Sequence, residues 1–288
     1  IDSCARVCHS PTAIGMQRTF GTGAATNSVI DMEYTDCMMV IGANPTDAHP
    51  VTGARMKQQA IKGKPLIVID PRKTELVKYA THHLQLRPGT NVAVLNMMLY
   101  YIIKENLEDK DFIAARTEGY EEFRQRILEL NIDELEKITG VDRNEVRAAA
   151  ITYASAPRAM SFHGLGVTEH TQGTYTVMLI ADLAMITGNI GKRGVGVNPL
   201  RGQNNVQGAA DMGCQPYQGA GYLDVTNPEI HKMYEAFYHA KLPLHVGYKI
   251  PQMYEASLNN KLKAIWVIGE DMAQTDPNTH HVLAALKN

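Results

Sequence analysis

The stretch Cys37-Met38-Met39-Val40-Ile41-Gly42-Ala43-Asn44-Pro45 decides the fold. Its apolar run is continuous rather than alternating, and it stops at glycine, asparagine and proline. A strand with one wet face alternates with period two, whereas a strand buried on both faces does not. The stretch therefore reads as a buried parallel strand. Pro65-Leu66-Ile67-Val68-Ile69-Asp70 repeats the pattern, and a helix over 50–61, closed by Gly63, lies between them. A second helix over 73–79 leads to a short strand, His83-Leu84-Gln85-Leu86. Strand–helix alternation of this kind predicts an α/β fold with a doubly wound, Rossmann-like parallel sheet. In such sheets ligands bind outside the carboxyl ends of the strands, where Asn44, Asp47, Asp70 and Arg72 fall.

Further along, Thr90 caps a helix to about 107, with Leu95, Met98, Leu99 and Ile102 on a core-facing stripe. Short amphipathic helices follow over 111–117, 120–130 and 133–138. Asp142 with Glu145 reads as a capping box opening a helix to about 155, which Pro157 ends. Met160-Ser161-Phe162-His163-Gly164 returns to a strand and runs into Leu165-Gly166-Val167-Thr168, before a helix over 173–187. Glycine and asparagine are dense from 188 to 213, yet Val195, Val197, Leu200 and Val206 interrupt them. Flexible linkers are polar throughout, so this loop reads as backbone approaching a large polar ligand closely. The segment 215–246 is irregular and rich in tyrosine, with one short helix. Ala264-Ile265-Trp266-Val267-Ile268-Gly269 reads as another buried strand, ended by Glu270-Asp271 and followed by a helix over 279–286. The expected organisation is a dinucleotide-binding α/β domain over 1–203 and part of a second α/β domain over 204–288.

Hydrophobic residues make up 44% of the 288 positions, ample for a core, and the formal charge is −2 with both signs interspersed. No basic stripe exists, which argues against nucleic acid as a partner. Four cysteines in a chain of this size form no disulfide framework, so a reducing, cytoplasmic setting is expected. The opening residues lack the charged and apolar regions of a signal peptide, and no run of about 18 apolar residues suggests a membrane span.

The chemistry begins in Cys4-Ala5-Arg6-Val7-Cys8-His9-Ser10-Pro11, where a cysteine and a histidine stand side by side before a helix-unfriendly Ser-Pro. A thiolate is a soft metal ligand, and an imidazole titrates near neutral pH. One spot thus offers metal ligation and proton handling. The C-x-x-x-C spacing has no second ligand pair behind it, so it is not a zinc or iron–sulfur motif. The pairs His82-His83 and His280-His281 are adjacent residues, whose side chains diverge on a strand, and neither makes a metal site. Gly164-x-Gly166 is only a fragment of G-x-G-x-x-G, which weakens a nicotinamide-binding reading.

Cys8-His9-Ser10-Pro11, Gly42-Ala43-Asn44-Pro45, Asp70-Pro71-Arg72, Gly164-Leu165-Gly166-Val167-Thr168 and the run Gly196-Val197-Asn198-Pro199-Leu200-Arg201-Gly202-Gln203-Asn204-Asn205-Val206-Gln207-Gly208 occur in this order. Together they resemble the catalytic subunit of molybdenum- or tungsten-dependent formate dehydrogenases, in the molybdopterin oxidoreductase superfamily, along essentially the whole sequence. The resemblance implies that Cys8 is the metal ligand, the cysteine counterpart of a selenocysteine, with His9 and Arg201 as its catalytic companions. Related nitrate reductases also use cysteine but lack that histidine and that arginine. The implied cofactor is a bis-molybdopterin guanine dinucleotide carrying Mo or W. The resemblance assigns its contacts to Asn44, Asp47, Asp70 and Arg72, to Gly164, Gly166, Val167 and Thr168, and to Asn189, Gly202 and Gln203. It adds Gly269, Asp271 and Thr275 from the second half. Asp70 and Asp271 suit guanine, whose N1–H and amine are donors. Formate is the implied substrate, with electrons leaving through an iron–sulfur cluster to an electron-transfer subunit or an NAD- or ferredoxin-linked partner. Family members also carry a four-cysteine iron–sulfur domain at the front and a further cofactor domain at the end. Neither is present here, so the sequence reads as a fragment. A cofactor-binding core without turnover, a nitrate reductase or a formylmethanofuran dehydrogenase subunit are the alternatives.

Overall fold

The computed structural model describes all 288 residues and divides them into two units, Cys8–Gly202 and Ile1–Val7 with Gln203–Asn288. In the first unit, β1 (Cys37–Ile41), β2 (Leu66–Ile69), β3 (His82–Leu84), β4 (Ala159–His163) and β5 (Gly196–Pro199) form one sheet in the order β3-β2-β1-β4-β5. Every pairing is parallel, with Val40 opposite Val68 on one side and Phe162 on the other. β1 and β2 are buried at every position, as their unbroken apolar runs require. The chain order reverses between β1 and β4, which opens a crevice at their carboxyl ends.

Alternate residues of the strands feed two cores. Met39, Ile41, Ile67, Ile69 and Val197 face one layer, whose helices contribute Val94, Met98, Val146, Ala150, Ile180 and Ala184. Met38, Val40, Val68, Met160 and Phe162 face the other, closed by Met32, Met56 and Leu76. The helical layers comprise α1 (Cys4–Phe20), α2 (Pro45–Ala48), α3 (Pro50–Ile61), α4 (Asn91–Lys104), α5 (Lys110–Arg116), α6 (Tyr120–Leu128), α7 (Ile132–Thr139), α8 (Arg143–Ala154), α9 (Leu165–Thr168) and α10 (Gly173–Ile186). The helix expected at 73–79 is a shorter 3-10 turn, Glu75–Tyr79. Asp142 does cap α8, but through the Asn144 N–H at 2.7 Å.

Three expectations are overturned. The helix-unfriendly Ser-Pro lies inside α1, with Pro11 at mid-helix. A proline there forfeits one backbone bond and crowds the preceding turn. Yet Cys8, Thr12 and Met16 recur at helical spacing and are all buried, and that packed stripe outweighs the local cost. Second, the glycine-dense loop contains β5, whose Gly196-Val197-Asn198-Pro199 is too short and too glycine-rich to show strand patterning. Third, the strand expected at 264–269 does not form, and Trp266 and Ile268 are 89% and 77% exposed. A strand needs a ladder to satisfy its backbone groups, and this run has no neighbouring strand.

The second unit contains α11 (Val206–Asp211), α12 (Pro228–Tyr238), α13 (Ile250–Leu258), α14 (Met272–Thr275) and α15 (Thr279–Lys287). Its small core joins Tyr254, Met272, Val282 and Ala285. No helix of the chain is long and apolar enough to cross a membrane.

The crevice between β1 and β4 is closed by two glycines. Gly42 has φ +56°, and a Cβ there would stand 2.5 Å from the Gly166 carbonyl carbon. Gly166 N–H in turn donates to the Gly42 carbonyl at 2.9 Å. Both the backbone conformation and the space therefore exclude a side chain. Gly42→Ala should cost about 2–4 kcal/mol, combining left-handed strain with overpacking. Chemical denaturation will show this as a lowered midpoint, and an unchanged midpoint would mean that the two strand exits can separate freely.

Candidate active site at the carboxyl edge of the sheet

α1 brings Cys8 and His9 to the sheet edge, both at or below 5% exposure. The Cys8 carbonyl accepts a hydrogen bond from Thr168 Oγ at 2.7 Å, so the α9 turn that begins at the β4 exit grips the helix at its cysteine. β5 delivers Arg201 two residues after its end. That residue is held by its backbone: His49 Nε2–H donates to the Arg201 carbonyl at 2.5 Å. One position earlier, Leu200 N–H donates to the carbonyl of His163, the last residue of β4, at 2.8 Å.

The electrostatics follow from this assembly. Burial drives the His9 imidazole down to about 4, and the nearby Arg201 guanidinium pushes the same way. The fully buried His163 falls to about 3 for the same two reasons in the same order. A charged imidazole without water costs more than a neutral one, and a neighbouring cation adds to that cost. The site thus carries one permanent positive charge beside two neutral imidazoles. His163 Nε2 is hydrogen-bonded to Thr12 Oγ at 2.9 Å, one helical turn beyond Cys8.

A second cluster lies across the β1, β2 and β4 exits. A cleft of about 210 Å³ is lined by Gly42, Asp70, Arg72, Arg87, Gly166 and His170, among others. Asp70 accepts from the Arg72 N–H at 2.8 Å and lies 3.4 Å from its Nε. Asn91 donates to the Gly166 carbonyl at 3.0 Å and so fixes that wall. Asn44 and Asp47, at the β1 exit, bond to each other at 2.5 Å. Gly164 sits against Gly42 and Ala43, where a Cβ would lie 3.1 Å from that of Ala43.

The structure thus gathers Cys8, His9, Arg201 and Thr168 in one group and Asp70, Arg72 and Gly166 in another, along one sheet edge. Two expected cofactor contacts are engaged within the protein. Asn189 accepts from Ala159 N–H and donates to Thr187 Oγ, at 2.8 Å each, while 1% exposed. It brackets the amino end of β4, away from the edge where ligands bind. Val167 is fully buried in the apolar core, and its N–H serves the Gly164 carbonyl. Gly202 closes the first unit, and an added methyl there would touch nothing. Gln203, Gly269, Asp271 and Thr275 belong to the second unit. There Asp271 accepts from the Gln274 amide, and Thr275 Oγ donates to the Asp271 carbonyl, both at 2.9 Å. Sequence reasoning missed Thr12, His49, Arg87, Asn91 and His163. Only His163, the sole histidine in an apolar strand run ending at glycine, carried a local signal.

A family model described as molybdopterin oxidoreductase matches residues 1–288, the whole chain. The chain belongs to the molybdopterin oxidoreductase family. Similar curated proteins include the F420-dependent formate dehydrogenase subunit alpha of Methanocaldococcus jannaschii, 45% identical over all of this chain and 42% of that protein. Formate dehydrogenase H of Escherichia coli is 42% identical over all of this chain and 40% of its own length. The chain therefore spans well under half of the relatives it matches. Among solved structures, acetylene hydratase from Pelobacter acetylenicus superposes with a TM-score of 0.71 at 22% identity, covering 96% of this chain and 40% of that one. That likeness concerns the fold alone.

The depressed histidines make stability depend on pH. An unfolded histidine titrates near 6.5, while folded His163 titrates near 3. Between those values the unfolded chain binds the extra proton, so this contribution to stability is present above about pH 6.5 and is lost as pH falls toward about 3. His163→Gln should therefore lose less stability than wild type between pH 7 and pH 5. Urea titrations at the two pH values will test this, and equal losses in both proteins would mean that His163 titrates in the fold as it does in the unfolded chain.

Proposed function

We propose that this chain is the metal-ligating core of a formate dehydrogenase, oxidising formate to carbon dioxide at a Mo or W bis-molybdopterin guanine dinucleotide bound through Cys8. Formate oxidation releases two electrons and one proton, and no ordinary side chain accepts two electrons. The family's cofactor supplies that two-electron acceptor when bound. The single observation that carries the reading is the joining of Cys8-His9 and Arg201, nearly two hundred residues apart in sequence, at one strand edge around one positive charge.

The residues present fit such a cofactor. His9 Nδ1, His163 Nδ1, Asn44 Oδ1, Thr46 Oγ and Asn198 Oδ1 are shielded from water and lack a partner within the protein. Buried polar atoms are nearly always satisfied, so a row of orphans at one edge suits a large polar ligand. The 210 Å³ cleft beside Asp70 suits a guanine or pterin edge. We assign the remaining cofactor contacts to Asp47, Arg72, Gly164, Gly166, Thr168, Gly202 and Gln203, and, from the second unit, to Gly269, Asp271 and Thr275. On this reading 1–203 is the dinucleotide-binding domain with the Cys-His site, and 204–288 is part of a second cofactor-binding domain.

Arg201 would bind the formate carboxylate through its planar fork, which matches two oxygens at once. His9, neutral with Nδ1 unengaged by the protein, would take the proton at that nitrogen. Electrons would leave through an iron–sulfur cluster to an electron-transfer subunit or an NAD- or ferredoxin-linked partner, in the cytoplasm.

Elemental analysis for Mo and W with formate-dependent dye reduction tests the reading in the full-length enzyme. Metal content with formate turnover is expected, and nitrate turnover without formate turnover would refute it. Cys8→Ala should abolish activity with the fold retained, and Cys8→Ser should weaken it, since oxygen is a harder ligand. Arg201→Lys keeps the charge but loses the fork and should raise KM for formate. Arg201→Ala should lower kcat/KM about a hundredfold, near 3 kcal/mol for a desolvated charge pair.

A further inference from the structure

Cys8 and His9 lie on α1, whereas Arg201 follows β5, and something must hold the two segments in register. His163 touches both sides with hydrogen bonds. The His163 carbonyl accepts from Leu200 N–H at 2.8 Å, next to Arg201. The His163 ring bonds Thr12 Oγ at 2.9 Å, one turn along α1 from Cys8. His163 and Thr12 are both fully buried, so water cannot replace that bond. Strand pairing sets the position: His163 faces Ile41 on one side and Pro199 on the other, at the last rung of β4. The ring's other nitrogen, Nδ1, has no partner in the protein.

We propose that the Thr12–His163 pair is the joint that holds Arg201 in register with Cys8-His9, making His163 a positioning residue for the anion-binding site. The inference rests on the formate reading for its substrate but not for its geometry. A buried neutral imidazole suits the task for two reasons. It spans helix and strand with a rigid ring, where a flexible side chain would lose more entropy on being ordered. It also adds no charge beside Arg201, so the anion meets one cation rather than two. The burial and the Arg201 guanidinium that keep His163 uncharged support this.

The test uses the full-length holoenzyme. Thr12→Val removes the hydroxyl and preserves the shape, Thr12→Ser restores the hydroxyl, and His163→Leu removes both ring nitrogens. Loosening the joint should misplace Arg201 more than the metal ligand. Thr12→Val and His163→Leu should therefore raise KM for formate about tenfold while kcat stays within about threefold. Thr12→Ser should bring KM back toward wild type. The double variant should be no worse than either single one, because both remove the same bond. A second readout needs no turnover: nitrogen-15 NMR of histidine-labelled protein should show one neutral tautomer for His163, and a mixture of tautomers in Thr12→Val. An unchanged KM in both single variants, or kcat and KM altered together with a lowered thermal midpoint in every variant including Thr12→Ser, would overturn the joint. Should Arg201→Lys also leave formate kinetics untouched, the formate reading fails instead. The NMR comparison then decides the joint alone, supporting it if Thr12→Val mixes the tautomers and overturning it if the spectrum is unchanged.

Discussion

The near-contact of Gly42 and Gly166 at the exits of β1 and β4 is the constraint on which the rest of the site depends. Two parallel strands can end side by side only if the chains leaving them avoid each other, and here they meet backbone to backbone. The Gly42 carbonyl takes the Gly166 N–H, and Asn91 takes the Gly166 carbonyl, so the turn after β4 has no freedom left. Two residues later that turn presents Thr168 to the Cys8 carbonyl. The position of the candidate metal ligand is thus inherited from a glycine pair on the sheet. A methyl group at either glycine would separate the exits and carry the displacement to α1.

A second consequence is electrostatic. Arg201 brings a permanent charge against imidazoles that burial has already made reluctant to ionise. A monoanion bound to the guanidinium would cancel part of its field. The Coulomb contribution that lowers His9 would shrink, and its basicity would rise toward the ordinary range. Desolvation, the larger cause, would remain.

Much of the fold was legible because it is written locally. Cys37–Ile41 and Leu66–Ile69 are unbroken apolar runs stopped by glycine, proline or aspartate, and α3 falls on Pro50–Ile61 between a proline and a glycine. The errors come where tertiary context reverses a local preference. Pro11 argued against a helix that a buried stripe enforces. The run at 264–269 has the composition of a strand without a ladder to join. Residue chemistry and strand position singled out Cys8-His9 and the acid after β2 as candidates, whereas Arg201 came from the family resemblance alone. The residues that orient these groups act across 151 positions for Thr12 with His163, 152 for His49 with Arg201, and 160 for Thr168 with Cys8. A threonine or histidine doing such work looks like any other in the sequence, because its partner is defined by the fold alone.

In the glycine-dense segment after α10, one glycine is explained by packing within the protein. Glycine density says that something passes close to the backbone, and the expected neighbour was a large ligand. At Gly196, with φ +118°, a Cβ would instead collide with Thr26 Oγ at 2.2 Å and Asn27 Oδ1 at 2.3 Å. That glycine makes room for the protein's own loop, whose Thr26 hydroxyl takes the Val197 N–H at 2.9 Å and so ties down the outer side of β5. An edge strand of four residues ending in proline needs such bracing, since proline offers no N–H to a ladder. Once braced, β5 delivers Leu200 to the His163 carbonyl and Arg201 to His49. Gly202 differs from Gly196, because no protein atom lies near enough to forbid a side chain. Packing accounts for the glycine that builds the strand and leaves the one beside Arg201 unconstrained.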